Sequence, residues 1–291
     1  VLYRMAFERP FHLFHICIMI LEERAYIKMK FSKRMDLFGE SIFTTLANMR
    51  SERKKQGLEV IDLSIGAPNI PPTQEVMETI AKEAMKPENY LYAIQDAVDL
   101  QNTVKEWYER RYGVVIDPTT ELTSLLGSQD GLAHLALTLV DEGDTVLVQD
   151  PCYPIFRDGP LLVGAHVVTM PLLKENDYLI DFDMIDEKTA QDAKYMIVSY
   201  PNNPTCGVAN DEFYKKLIVF AKKYNIVVLH DNAYSELLFE GPGHSFLEFE
   251  GAKDVGIEFN SLSKTYGLAG ARIGFAIGNK EIIEKLKSLK S

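Results

Sequence analysis

Apolar and polar positions change period repeatedly between residue 40 and the end of the chain. Apolar residues at helical spacing mark residues 40–56, 73–85 and 96–112. The first of these segments ends in the basic run Arg53-Lys54-Lys55, which suits a solvated helix end. Residues 58–65 read as extended and break at Gly66-Ala67-Pro68. Short apolar strands follow at 121–126, 145–149, 166–170, 195–200, 226–230 and 256–260, mostly separated by helical stretches such as 132–139 and 213–223. Unbroken apolar runs such as Ile226-Val227-Val228-Leu229 suit strands covered on both faces. The expected fold class is therefore α/β, a mostly parallel sheet sandwiched by helices. Ligands of such sheets collect at the carboxyl ends of the strands, so the residues after each strand carry the candidate chemistry.

The two ends break this pattern. Residues 1–28 match nothing downstream. Their apolar stretch 16–21 is too short for a membrane span, lacks a signal-peptide cleavage site and runs into Glu22-Glu23. They read as an upstream or non-native segment, with a natural start at Met29 or Met35. At the other end the chain stops at Ser291, inside a helical pattern from Lys280 and without a Gly or Pro stop. The expectation is a helix cut in its middle.

Composition narrows the partners. Of 291 residues, 46% are hydrophobic and 25% charged, which suits a soluble globular chain and excludes a disordered one. With 31 basic and 42 acidic residues the net charge is −11, unfavourable for nucleic acid or anionic lipid. Three widely spaced cysteines fit a reducing, cytoplasmic setting rather than a disulfide framework. The histidines show no zinc-helix spacing, so no metal is expected.

Four strand ends stand out. Gly127-Ser128-Gln129 opens a helix, which makes either a phosphate seat or an ordinary N-cap at Ser128. Pro201-Asn202-Asn203-Pro204-Thr205-Cys206-Gly207 has the composition of any turn, yet an Asn amide there could donate to a ligand. Asp231 sits at the mouth of a buried strand, where a carboxylate needs a positive partner, whether a ligand cation or an Arg or Lys. His230 beside it reads as a packed histidine rather than a base. Ser261-Leu262-Ser263-Lys264, with Arg272 eight residues beyond the lysine, combines hydroxyls and a guanidinium suited to a phosphate dianion. The lysine is left for Schiff-base chemistry. No Walker-type loop occurs, and the glycines between Gly267 and Gly274 precede a strand-like run rather than a helix, unlike a dinucleotide fingerprint.

Taken together, S-x-S-K with an arginine eight residues on, N-N-P-T-x-G and D-x-A-Y make the chain resemble the class I/II, fold-type I pyridoxal-phosphate aminotransferases from about Met35 to Ser291. The wording of residues 125–136 and 260–278 is similar to the LL-diaminopimelate aminotransferase group. The resemblance implies that Lys264 forms the Schiff base with pyridoxal 5′-phosphate (PLP) and shuttles the substrate proton. It implies that Asp231 pairs with the cofactor's ring nitrogen, and that Asn203 and Tyr234 bond its phenolic oxygen. Ser128, Gln129, Ser261, Ser263 and Arg272 would cradle the phosphate, and Tyr153 would stack on the ring. Tyr92 would reach the phosphate of a neighbouring subunit in a homodimer. Gly66 and Asn203 would line the substrate site.

The implied organisation is an N-terminal part of a small domain at 29–65, a large cofactor domain at 66–278 and the start of an interdomain helix at 279–291. The family's small domain continues further and supplies an arginine for the substrate carboxylate, and no arginine follows Arg272 here. The implied activity moves an amino group between an amino acid and a 2-oxo acid, with glutamate/2-oxoglutarate as one pair. Two alternatives stand beside it: a β-lyase using the same cofactor, although related lyases tend to carry D-E where this chain has Asp231-Asn232, or an inactive fragment of such an enzyme.

Overall fold

The computed structural model describes residues 29–291 apart from Ile65 and Ala67. The expectation for residues 1–28 lies outside them. The chain divides after Phe38 into two compact units. The described part of the first holds one 3-10 turn, Lys33–Leu37, whose Ser32 cap accepts from the Arg34 N–H.

The second unit is built on seven strands: β1 Leu122–Leu125, β2 Thr145–Asp150, β3 His166–Pro171, β4 Ala193–Ser199, β5 Val227–Asp231, β6 Gly256–Ser261 and β7 Gly274–Gly278. Their spatial order is β1-β7-β6-β5-β4-β2-β3. The pairs from β6 through β3 are all parallel, and β7 alone runs against both its neighbours. The parallel core predicted from the apolar runs is present.

Alternation along each strand feeds two cores. Tyr195 and Ile197 of β4 join Leu132 and Leu135 of the Ser128–Leu139 helix, Phe156 of the Pro154–Leu162 helix, and Ile283 and Leu286 of the Lys280–Lys290 helix. Met196 and Val198 face the opposite way, toward Tyr108 of the Val98–Tyr112 helix and Phe213 and Leu217 of the Asp211–Tyr224 helix. That last helix shows how local chemistry sets its limits. The Asn210 side chain accepts from the Phe213 N–H at 2.9 Å, Asp211 and Glu212 occupy the first turn, Lys222 and Lys223 the last, and Asn225 ends it at φ 56°.

Residues 58–64 form no strand, and no partner strand lies beside them among the described residues. The helices Ile42–Lys55 and Gln74–Ala84 form where the periodicity placed them, yet neither buries a residue. No helix among the described residues is long and apolar enough to cross a membrane.

Beneath the strand ends lies a buried polar knot. Glu258 on β6 is fully enclosed and accepts from Tyr108 Oη at 2.7 Å, Ser245 Oγ at 2.9 Å and the Phe246 N–H at 2.7 Å. His230 Nδ1 lies 2.9 Å from the same carboxylate, and its Nε2 lies 3.3 Å from Tyr214 Oη. His230 is thus a packed histidine, as the sequence suggested.

Candidate active site

The carboxyl ends of β4, β5 and β6 open into one cleft of about 330 Å³. Asp231 is the last residue of β5, Ser199 of β4 and Ser261 of β6, and all three line it. Ser199 and Asp231 are partners in the parallel register and β6 runs two residues past its Asp231 partner Phe259, so the three carboxyl ends form one rim, a natural ligand site.

Asp231 is the electrostatic focus. It is buried, and its Oδ1 has no hydrogen-bond partner. No lysine or arginine nitrogen lies within 4.0 Å of it among the described residues. Burial pushes its carboxyl up to about 6, against the pull of His230, the Ala233 N–H and the Ser128 hydroxyl. The alternative left open by the sequence, an internal Arg or Lys partner, is therefore not what this carboxylate meets.

Lys264 enters from the short Leu262–Thr265 helix that follows β6. Its Nζ donates to the Gly66 carbonyl at 2.6 Å and lies 5.7 Å from the Tyr234 ring centroid. Burial, with Arg272 adding repulsion and Asp231 opposing, holds its ammonium below the usual lysine range. That shift favours the free-amine form a nucleophile requires. Across the cleft Asn203 Nδ2 donates to Tyr234 Oη at 3.4 Å, and burial pushes the Tyr234 hydroxyl up to about 12.

The other end is built for an anion. Gly127, at φ 91°, caps the Ser128–Leu139 helix, so Ser128 lies in the first turn and is not the N-cap the sequence suggested. No side chain caps this helix, so the N–H groups of Ser128 and Gln129, both lining residues, have no side-chain cap. Arg272, itself at φ 54°, spans the neighbouring wall, with Nη2 donating to the Leu126 carbonyl at 2.9 Å and Nη1 to that of Ala269 at 3.2 Å. A Cβ at Gly127 would sit 2.5 Å from Nη2, so only glycine leaves room for this arginine. Ser261 caps the lysine's helix by accepting from the Ser263 N–H at 3.2 Å, which leaves its own proton to donate outward. Tyr153 is half-buried, and its hydroxyl donates to Gln129 Oε1 at 3.1 Å.

All but one of the residues expected at the site therefore converge on this cleft: Gly66, Ser128, Gln129, Tyr153, Asn203, Asp231, Tyr234, Ser261, Ser263, Lys264 and Arg272 line it. Tyr92 is 97% exposed and is not among the lining residues. The sequence reading missed Phe43, Ser64, Phe156 and Ser199, which also line it. Ser199 could have been found as the last residue of a strand. Phe43 lies on a helix far upstream and Phe156 belongs to the core, so neither carries a local motif.

The cleft thus brings together a buried carboxylate with one unpartnered oxygen, a lysine of lowered basicity, and a guanidinium with hydroxyls and a helix N-terminus. This donor set fits a flat, phosphorylated, nitrogen-containing aldehyde. The sequence profile of the aminotransferases of class I and II matches residues 59–291, and the chain belongs to that family of PLP-dependent, fold-type I enzymes. Among curated proteins it is 43% identical over 265 residues to the LL-diaminopimelate aminotransferase of Aquifex aeolicus, covering 90% of this chain and 68% of that one. It is 42% identical, with the same coverage, to that of Dehalococcoides mccartyi. Among solved structures, apo-BacF of Bacillus subtilis superposes with a TM-score of 0.85 at 36% identity, over 90% of this chain and 67% of that one. The chain thus spans about two thirds of the length of these proteins.

Proposed function

We propose that this protein transfers an amino group between LL-diaminopimelate and a 2-oxo acid, with glutamate/2-oxoglutarate as the second pair, by a two-half-reaction route through a Schiff base at Lys264. The observation that carries this reading is the buried Asp231 carboxylate, whose Oδ1 has no partner, facing the same cleft as Lys264. The names of the curated relatives support the donor.

When bound, PLP supplies an electron sink beside the substrate Cα. Asp231 holds a proton on the ring nitrogen, the cationic partner its own environment lacks. Asn203 and Tyr234 hydrogen-bond the phenolic oxygen. Ser128, Gln129, Ser261, Ser263 and Arg272 hold the phosphate, and Tyr153 covers a ring face. Lys264 would anchor the cofactor, and its amine would hold the proton taken from the substrate Cα. Gly66 and Asn203 position the substrate carboxylate. The exposed apolar residues Ile61, Leu63, Ile70, Leu91 and Ile94 suit a face covered by a second copy, to whose phosphate site Tyr92 would reach.

The test is an amino-donor panel with 2-oxoglutarate as acceptor, read as glutamate formed. Glutamate from LL-diaminopimelate above the other donors supports the reading. Transfer from other donors only would overturn the substrate, and pyruvate released from a cysteine conjugate without acceptor would overturn transfer in favour of elimination.

A further inference from the structure

Behind the anion end of the cleft, and outside its lining, runs a chain of contacts that neither the motif nor the family profile assigns. Asp130, in the first turn of the Ser128–Leu139 helix, accepts from the Leu126 N–H through Oδ2 at 3.0 Å. The same oxygen accepts from Lys290 Nζ, 2.5 Å away, in the Lys280–Lys290 helix. Lys290 also donates to the Ser124 carbonyl at 3.2 Å. The Asp130 N–H donates to the Gly127 carbonyl at 3.1 Å, so both residues leading into the helix are tied to this one aspartate. On its other side the Leu126 peptide accepts from Arg272 Nη2 at 2.9 Å.

We propose that Asp130 is a positioning residue for the phosphate end of the site: it holds the Leu126 N–H on one side and the Gly127 carbonyl on the other, which fixes the intervening Leu126-Gly127 peptide whose carbonyl meets Arg272, and Lys290 completes the clamp. This rests on the reading above in which Arg272 meets the cofactor phosphate. The Asp130 side chain is only 13% exposed and that of Lys290 21%, so the pair is shielded from competing water. Lys290, the Leu126 N–H and His134, whose Nδ1 lies 3.0 Å from Oδ1, outweigh the burial that would raise this carboxyl and hold it below the ordinary aspartate range. Asp130 therefore stays an acceptor at any pH where the protein works. The Leu126 and Ala269 carbonyls each take one N–H of the guanidinium, which holds it in place with its remaining N–H groups left to meet an anion. The arrangement also links the phosphate seat to the Lys280–Lys290 helix, so displacement of that helix would be felt at Arg272.

Cofactor binding with and without the phosphate tests this. PLP and its unphosphorylated analogue pyridoxal are titrated into wild type, Asp130→Asn, Asp130→Glu, Lys290→Met and Arg272→Ala, following the absorbance of the bound ligand. A phosphate-positioning role predicts that Asp130→Asn weakens PLP binding about tenfold, on the scale of one charge-assisted hydrogen bond, and leaves pyridoxal binding within twofold. Lys290→Met should show a smaller loss of the same selectivity, and Asp130→Glu a partial recovery. A role confined to local folding would weaken both ligands equally and would overturn the proposal. Should Asp130→Asn fail to fold, Lys290→Met decides: selective loss supports the clamp, and wild-type selectivity overturns it. Arg272→Ala separates the premise. If it retains the preference for PLP over pyridoxal, the phosphate reading of the cleft fails. If it loses that preference while Asp130→Asn and Lys290→Met keep it, the premise stands and the positioning role falls.

Discussion

Asn203 and Tyr234, 31 residues apart in sequence, meet at 3.4 Å with the amide donating to the phenol. They are brought together because β4 and β5 are parallel neighbours whose following loops open on the same side. Burial keeps the Tyr234 hydroxyl protonated through the neutral range, so it too is a donor there. Tyr234→Phe is expected to weaken PLP binding three- to tenfold, the worth of one neutral hydrogen bond. Combined with Asn203→Ala the losses should fall short of additive, because the two side chains touch. Strictly additive effects in equilibrium titration would contradict a shared hydrogen-bond site.

Asp231 couples function to stability. Its carboxyl titrates near 6 in the fold against an ordinary 3.8, so the native state holds the proton more tightly than the unfolded chain. The stability this provides is complete below about pH 4 and is lost as pH rises to about 6, a penalty of order 3 kcal/mol for the ionised form. Cofactor-free Asp231→Asn should therefore be more stable than wild type at pH 7 by up to about that amount, with the gap closing toward pH 4. Urea unfolding at both pH values measures it, and equal stabilities throughout would remove the electrostatic account. The same variant should lose amino transfer, since an amide cannot hold a proton on the ring nitrogen.

Lys264→Ala is expected to abolish covalent cofactor attachment and to lower turnover by orders of magnitude. No other lysine among the described residues lines the cleft. Borohydride reduction followed by peptide mass spectrometry should find the cofactor on Lys264 in wild type and on no residue of the variant. Attachment elsewhere, or retained turnover, would displace Lys264 from its role.

Gly127→Ala tests the anion end. The new methyl would meet Arg272 Nη2 at 2.5 Å, and the residue would have to hold φ 91°. The guanidinium is the movable party, so the variant should fold at a cost of about 1 kcal/mol from backbone strain. Its affinity for PLP should fall more than its affinity for pyridoxal. Thermal unfolding paired with both titrations separates the two effects.

Removing the Glu258 carboxylate should be the most damaging of these changes. Glu258→Ala leaves Tyr108, Ser245, His230 and the Phe246 N–H without their buried acceptor, an expected loss of about 3–5 kcal/mol. Chemical denaturation, or failure to recover soluble protein, checks it.

The sequence by itself determined the parallel sheet and the chemistry at its edge. Unbroken runs such as Ile226-Val227-Val228-Leu229 can only be buried on both faces, and the polar residues that end such runs must lie at the rim. Those signals are local, so Asp231, Lys264, Arg272 and the Asn203 loop were legible, with element limits moved by a residue or two. Residues 58–64, read as extended, join no sheet, because an extended segment becomes a strand only where another strand offers its edge, and none does among the described residues. The N-cap alternative for Ser128 fails because the glycine before it adopts φ 91° and takes the capping position itself, while Ser128 lines the cleft. Only the tertiary structure decided that no lysine or arginine among the described residues pairs with Asp231 and that Phe43 and Ser64 join the cleft. It alone decided that Lys290 reaches Asp130 behind the phosphate seat. Those facts depend on distances between residues far apart in sequence, which packing fixes and no local pattern of side chains encodes.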